Sequence, residues 1–504
     1  MPGHEYGKRY VEIFKGSGIV LFGTLAGYVL TYLFKMINGR YFGPSGLGIL
    51  AIGISTMTVL SSLSVLGLNE GVGRFIPFFQ EKKDYAGTRA ILTFGATLSL
   101  AMALLVSIAV FINAPRLAHD FFKNPATEGI LRLFSIVIPF QAFFIFSTGV
   151  MRGMKKMASI AIGKDILTWG VKILAALVVI SMALPVEYIA AAFYCALPLS
   201  VLYFFYIFKK DALYREIKQV KPRKGARLEF FKFSMPLIFS NLAQLLRKQT
   251  DVLVIGFFLP ASAVGLYYAA LPFAMTLTLF LFSINRILLP VASEIIGQGE
   301  IKYARQLFKD FALLSFQMTL PLFLFIFIFA DDIILIVYGK EFIQAGLLLK
   351  ILCAGFFINS ISGSFGEFFK AFNKSYLVLY LSLGGGLLNI LLMLFLVPKW
   401  GIKGAALSAT LSLVFMVLLG LVLSQLILKI NPFGTRYFIM IAAAVLGCIL
   451  FSVIENYFNR LLLLALFLVF ASVYGLFIFK SNAFFVGLLK AKRNVFHEKK
   501  VDTH

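Results

Sequence analysis

Charge is scarce in this chain, and acid is scarcer than base. Of 504 residues only 14% are charged, with 23 Asp and Glu against 47 Lys and Arg, while 60% are hydrophobic. Soluble domains carry about 25% charged and about 45–50% apolar residues, so a soluble globular fold is excluded. The 56 Phe exclude a disordered chain, which needs low hydrophobicity, and the 41 Gly follow no collagen period. Cysteine is nearly absent. Cys195, Cys353 and Cys448 each lie inside an apolar run, far apart, which leaves neither a CxxC pair nor a disulfide framework. No Walker A motif, zinc-ligand cluster or nucleophile elbow appears, and His119 stands alone in a loop. What remains is an all-α polytopic membrane protein with a mean hydropathy of +0.90.

Taking about 20 apolar residues as one crossing, the runs predict 14 transmembrane helices: near 17–37, 46–68, 90–112, 130–150, 159–182, 187–208, 234–258, 263–289, 310–330, 345–369, 376–397, 403–428, 436–454 and 461–479. The runs are continuous rather than alternating, which favours helices over a barrel. The first, preceded by MPGHEYGKRYVEIFKGSG, is long enough to span and carries no cleavage site, and is read as a retained helix. Of the 47 basic residues, 32 fall on connections of one side and 7 on the other, which predicts a cell-membrane protein with cytoplasmic N- and C-termini. That asymmetry accounts for the formal charge of +24 without nucleic acid and points to membrane lipids as partners. The longest connection, 209–232, places Leu213, Ile217 and Val220 at helical spacing before Pro222 and Gly225, predicting a short interfacial helix. A second amphipathic stretch begins at Asn482.

The chain also repeats itself. Phe14-Lys15 recurs as Phe231-Lys232, Ser17 as Ser234, Gly48 as Gly265, Lys123 as Lys340 and Gly149 as Gly366, every pair at one and the same offset. The same shift lays helices 1–6 on helices 7–12. Six crossings return the chain to its starting side, so the predicted architecture is two parallel-repeat six-helix lobes around a central cavity, plus two extra C-terminal helices. The expected domains are a first lobe (1–208), a cytoplasmic amphipathic linker (209–232), a second lobe (233–428), the extra helices (429–480) and a basic tail (481–504).

The stretches NGRYFGPSGLGILAI (38–52), TDVLVIGFFLPASAVGLYYAA (250–270), LPVAS (289–293), VYGKEF (337–342), FNKS (372–375) and VPKWGIKGAALSATLS (397–412) resemble polysaccharide transporters of the multidrug/oligosaccharidyl-lipid/polysaccharide (MOP) exporter superfamily. The branch they are most similar to is the Wzx-type flippases of lipid-linked oligosaccharides. The resemblance implies transport by alternating access, without covalent chemistry or a resident cofactor, beside glycan polymerisation or glycosyltransferase machinery. It also implies a coupling cation, proton or sodium, near helices 7, 11 and 12, where Asp251, Asn389 and Thr410 are the candidates.

Eight basic residues fall within spans or at their ends: Lys35, Arg132, Lys164, Lys172, Arg247, Lys248, Arg286 and Lys350. A charge at a helix centre is unfavourable by about 2.5–3.5 kcal/mol on insertion scales, so it faces a cavity, a partner or the interface. Lys164 and Lys172 are eight residues apart and share a face if helix 5 is a regular α-helix. Helix 7 carries Asn241, Gln244, Arg247, Lys248 and Asp251 as one stripe, in which Asp251 can pair with Arg247 or Lys248. With few carboxylates to neutralise them, Lys35, Lys164, Lys172, Arg247, Lys248 and Arg286, with Asn241 and Gln244, form the expected site for a polyprenyl pyrophosphate-linked glycan. A MATE-like drug exporter would want acidic groups there instead. A membrane glycan ligase or glycosyltransferase would want a larger extracytoplasmic loop. Pro139, Pro198, Pro236, Pro272 and Pro321 are candidate kinks. Gly384-Gly385-Gly386 either loosens helix 11 or packs it, and Gly23-xxx-Gly27 is a close-packing signal.

Overall fold

The computed structural model describes residues 3–361, 365–429 and 460–481. The predicted span 436–454, with Cys448, and the stretch from Asn482 lie outside the described residues. So do the side chains of Asn241, Gln244, Arg247, Lys248 and Arg286. The described chain is helical throughout and contains no strand. The protein is a multi-pass membrane protein: among the described residues, eight helical stretches are long and apolar enough to cross a bilayer.

Glycine sets where the longest helices bend. α1 runs Gly3–Ser64 but breaks at Gly43, whose φ of 66° favours a residue without Cβ and is followed by Pro44. α2 (Leu68–Glu81) leads to α3 (Tyr85–Arg116), which starts where the Asp84 carboxylate accepts the Gly87 amide at 2.8 Å. α4 is Thr127–Gly153. The fifth predicted span is composite: α5 (Met157–Ile160), a π-helical stretch over Ala161–Leu167, and α6 (Thr168–Ser181). The Thr168 hydroxyl donates to the Gly163 carbonyl, five residues back, at 2.7 Å. α7 spans Ala190–Lys210.

The expected interfacial helix is α8 (Ala212–Gln219). Asp211 caps its amide at Leu213, and Leu213 and Ile217 are buried while its charged residues face out. α9 (Lys224–Ser234) and α10 (Leu237–Phe258) meet at Pro236. There follow α11 (Ala261–Met275), α12 (Leu279–Gly297), α13 (Ile301–Ile328), α14 (Ala330–Tyr338), α15 (Ala345–Ile361), α16 (Phe365–Ala371), α17 (Ser375–Leu423) and α18 (Arg460–Ser481). α17 breaks at Gly401, with φ 58°, and runs helical through Gly384-Gly385-Gly386. A methyl at Gly385 would rest at an ordinary contact distance of 3.5 Å from Met416, and one at Gly384 would meet nothing within 4 Å, so neither is required by close packing.

The chain forms two compact units. The first contains 1–272, 332–352 and 378–416. Its core gathers fully buried Phe34, Phe134, Phe193, Phe204 and Phe230. Gly23 and Gly27 let α1 lie close against the π stretch, because a methyl at either would come 2.7 Å from the Cβ of Ala161 or Asp165. The second unit contains 273–331, 353–377 and 417–504. Phe323 stacks on Phe357 at 4.0 Å, Phe308 meets Phe368 edge-on at 4.7 Å, and the buried Ser360 hydroxyl donates to the Leu277 carbonyl at 2.9 Å.

Candidate functional site

The acidic end of the predicted stripe on α10 is Asp251, which is 7% exposed. Its two oxygens are held separately: Tyr267 on α11 donates its hydroxyl to Oδ2 at 2.5 Å, and Asn389 on α17 donates Nδ2 to Oδ1 at 2.6 Å. Two consecutive helices and α17, 138 residues further on, thus meet on one carboxylate. Its partners among the described side chains are neutral donors. Asn389 Oδ1 is buried and has no hydrogen-bond partner among the described residues, leaving an acceptor oxygen beside a carboxylate. Thr410, the third residue expected here, instead donates to the Ile351 carbonyl at 2.9 Å. A carboxylate and an amide oxygen suit a proton or a hard monovalent cation. No cluster of three His, Cys, Asp or Glu able to hold a metal ion occurs among the described residues.

The basic residues divide by environment. Lys35 on α1 is half-buried, and its ammonium lies 3.6 Å from the centre of the Tyr268 ring on α11, with no carboxylate in ion-pair distance among the described residues. One turn away, Tyr32 donates to the Pro272 carbonyl at 2.7 Å, so two residues of α1 engage two of α11 at matching helical spacing. Pro272 has no amide to offer the helix, yet its carbonyl here serves as an acceptor for a neighbouring helix. Adjacent residues of α11 therefore face opposite charges: Tyr267 binds the acid and Tyr268 covers the base.

Lys172 is 5% exposed and sits between aromatic faces, 4.3 Å from Trp169 and 3.8 Å from Phe193. Lys164, expected on the same face, is exposed. The difference follows from the backbone: the π stretch has wider turns, so eight residues no longer make two α-helical turns and the two lysines point differently. Arg132 pairs with Glu128 at 2.8 Å across one turn. An apolar cavity of about 390 Å³ near Asp251 is lined by Val59, Phe121, Leu245, Val254 and Phe257, with Thr250 its polar member, and offers nothing to an anion.

Sequence reasoning missed Tyr267, Tyr268 and Tyr32. The available signal was a tyrosine pair inside an apolar helix, where each ring needs a polar or cationic neighbour for its polar edge or face.

Further along α1 and α10, segments distant in sequence cross. Arg40 donates Nε to the Val337 carbonyl at 2.8 Å and Nη2 to that of Ile336. Phe121 meets Phe257 at 5.0 Å, and Lys123 lies 5.6 Å over the same ring.

Residues 13–296 match the family model described as polysaccharide biosynthesis protein, and 236–395 match the MatE model. The chain is 23% identical over 470 residues to "Stage V sporulation protein B" of Bacillus subtilis (strain 168), covering 88% of this chain and 90% of that one. It is 23% identical over 415 residues to a "Putative O-antigen transporter" of Shigella flexneri, covering 81% and 97%. Its fold is similar to "Lipid II flippase MurJ, inward closed conformation", with a TM-score of 0.71, 17% identity and coverage of 92% and 98%. With more than half its length under one family model, the chain belongs to the polysaccharide biosynthesis protein family.

Proposed function

We propose that this protein is a flippase that moves a lipid-linked anionic glycan, a polyprenyl pyrophosphate-linked oligosaccharide or polysaccharide precursor, across the cell membrane by alternating access. It is a transporter and changes no covalent bond of its cargo. The observation that carries this reading is Lys35: a cation within a span, held on a ring face rather than by a carboxylate, keeps its charge available to a phosphate. The names of the relatives, an O-antigen transporter and a lipid II flippase fold, support the same cargo class.

Two parallel six-helix lobes with two added helices, 14 crossings in all, remain the architecture this function needs. Leu25–Ser64 and Ser375–Leu428, at 40 and 54 residues, are each long enough for two crossings of a hydrocarbon core about 30 Å thick. The crossed contacts of Arg40 and Phe257 support closure at one end, with the first half's outer connection on the second half's helix and the reverse. The charge asymmetry makes that end extracytoplasmic and both termini cytoplasmic. Lys35, Lys164, Arg247, Lys248 and Arg286, with Asn241 and Gln244, line the substrate path. Lys172 joins them only when α6 and α7 separate, because its ammonium is covered by Trp169 and Phe193. Asp251 and Asn389, with Tyr267, form the coupling site for a proton or sodium ion, and Thr410 stands outside it in this conformation. Glycan polymerisation or glycosyltransferase machinery supplies and consumes the cargo.

The test is transport in proteoliposomes carrying a fluorescent lipid-linked oligosaccharide in the inner leaflet, read as protection from a membrane-impermeant quencher. Protection lost only in protein-containing vesicles supports the flippase. Movement of cationic drugs without lipid movement would instead support a MATE-like exporter, a reading favoured by the MatE match over 236–395. Release of free glycan would mark a ligase.

A further inference from the structure

The linker that precedes the second repeat is fastened to the first. Asp211 pairs with Lys156 at 2.9 Å, Arg223 pairs with Asp84 at 3.0 Å, and Arg89 Nη1 donates to the carbonyls of Lys218 and Val220 at 3.1 and 2.6 Å. Arg89 thereby neutralises the carbonyl end of α8, where a cation is favourable. Beneath this strap lies a cavity of about 540 Å³ between α3, α4, α7 and α8, within the range of about 300–1,000 Å³ typical of ligand sites.

The interior and the mouth of this cavity differ in chemistry. Phe143, Phe146, Phe204 and Phe208 line the interior. Two of its hydroxyls are already used, Thr93 donating to the Arg89 carbonyl and Ser147 to the Phe143 carbonyl, both at 2.8 Å, and Tyr214 adds a third beside its ring contact with Phe208. Apart from these, the interior lining is apolar. At the mouth, Lys218 and the Nε and Nη2 of Arg89 have no acceptor among the described residues. A hydrocarbon slot with two cations at its rim, roofed by an amphipathic helix, fits an amphiphile with one anionic head.

We propose that this cavity is a binding site for an anionic phospholipid, one acyl chain among the phenylalanines and the phosphodiester on Arg89 and Lys218. The cavity's size favours one acyl chain over a long polyprenyl tail, which separates this site from the path of the cargo. Bound lipid completes the polar contacts of the strap and holds α8 against the first repeat. The proposal is independent of which cargo the protein moves.

The experiment is native mass spectrometry of the full-length protein released from nanodiscs of equal phosphatidylglycerol and phosphatidylcholine with matched chains. Wild type should retain phosphatidylglycerol in preference to phosphatidylcholine by about tenfold, the weight of one charge-assisted hydrogen bond. Lys218→Gln should lower that preference with an unchanged melting temperature in lipid-free detergent, and Ala96→Trp, which fills the slot, should abolish retention of both lipids. Equal retention of the two lipids by wild type would overturn the proposal. So would an unaltered preference in Lys218→Gln, which stands even if Ala96→Trp fails to fold. Displacement of phosphatidylglycerol by added undecaprenyl phosphate would assign the slot to the carrier lipid and overturn it as well.

Discussion

Gly48 and Gly265 pack on each other's flanking backbone in a reciprocal way. A methyl on Gly48 would strike the Ala261 carbonyl group and lie 2.9 Å from the Gly265 nitrogen. One on Gly265 would strike the Pro44 carbonyl group and lie 3.1 Å from the Gly48 nitrogen. Both pairs, 48 with 265 and 44 with 261, keep the offset of the internal repeat. Such an exchange is what a two-fold relationship between repeats produces, since each residue meets its counterpart's surroundings.

Adding a single methyl should therefore disrupt the same contact from either side. Gly48→Ala and Gly265→Ala should each destabilise the protein by about 1–3 kcal/mol through overpacking. The double variant should fall short of the sum because the two sites share one interface. Thermal unfolding of the three detergent-solubilised variants measures this, and strictly additive effects would show that the contacts are separate.

Asp251 should behave as the centre of a three-residue unit. Tyr267→Phe and Asn389→Leu each remove one donor from a buried carboxylate and should cost about 1–3 kcal/mol of stability. Asp251→Asn should lessen the response of transport to a proton or sodium gradient. Equal driving by each gradient in wild type and Asp251→Asn would leave this carboxylate with a structural role alone.

Lys35 and Lys172 should separate binding from packing. Lys35→Ala should weaken binding of the lipid-linked oligosaccharide by about 1.5–3 kcal/mol with the folded yield kept. Lys172→Ala should chiefly lower the melting temperature, since it empties the space between Trp169 and Phe193. Binding and melting measured on the same two preparations distinguish them, and intact binding by Lys35→Ala would remove Lys35 from the site.

Cysteine labelling should report the orientation. Lys221→Cys in the linker should react only from the cytoplasm and Ala126→Cys only from outside. Both positions are exposed, whereas Ala118 in the same outer connection is fully buried and would be silent from either side. Labelling of Lys221→Cys in intact cells would reverse the orientation.

The helical class, the membrane setting and the amphipathic helix α8 were legible in the sequence because each depends on local pattern. An apolar run must hydrogen-bond its own backbone in lipid, and Leu213 and Ile217 at helical spacing face the same way whatever surrounds them. Asp251 and Asn389 could be named as candidates, but only packing brings α10, α11 and α17 together, adds Tyr267 and turns Thr410 to Ile351. The facing of Lys164 and Lys172 was misread because periodicity assumes one helical pitch, and the π stretch between Ala161 and Leu167 changes it. Whether a lysine within a span meets a carboxylate or a ring is likewise decided by other helices, as Tyr268 decides it for Lys35 and Phe193 for Lys172. Sequence determined which residues carry charge into the membrane, and tertiary structure decided what each charge touches, because that depends on distances between helices that no single helix encodes.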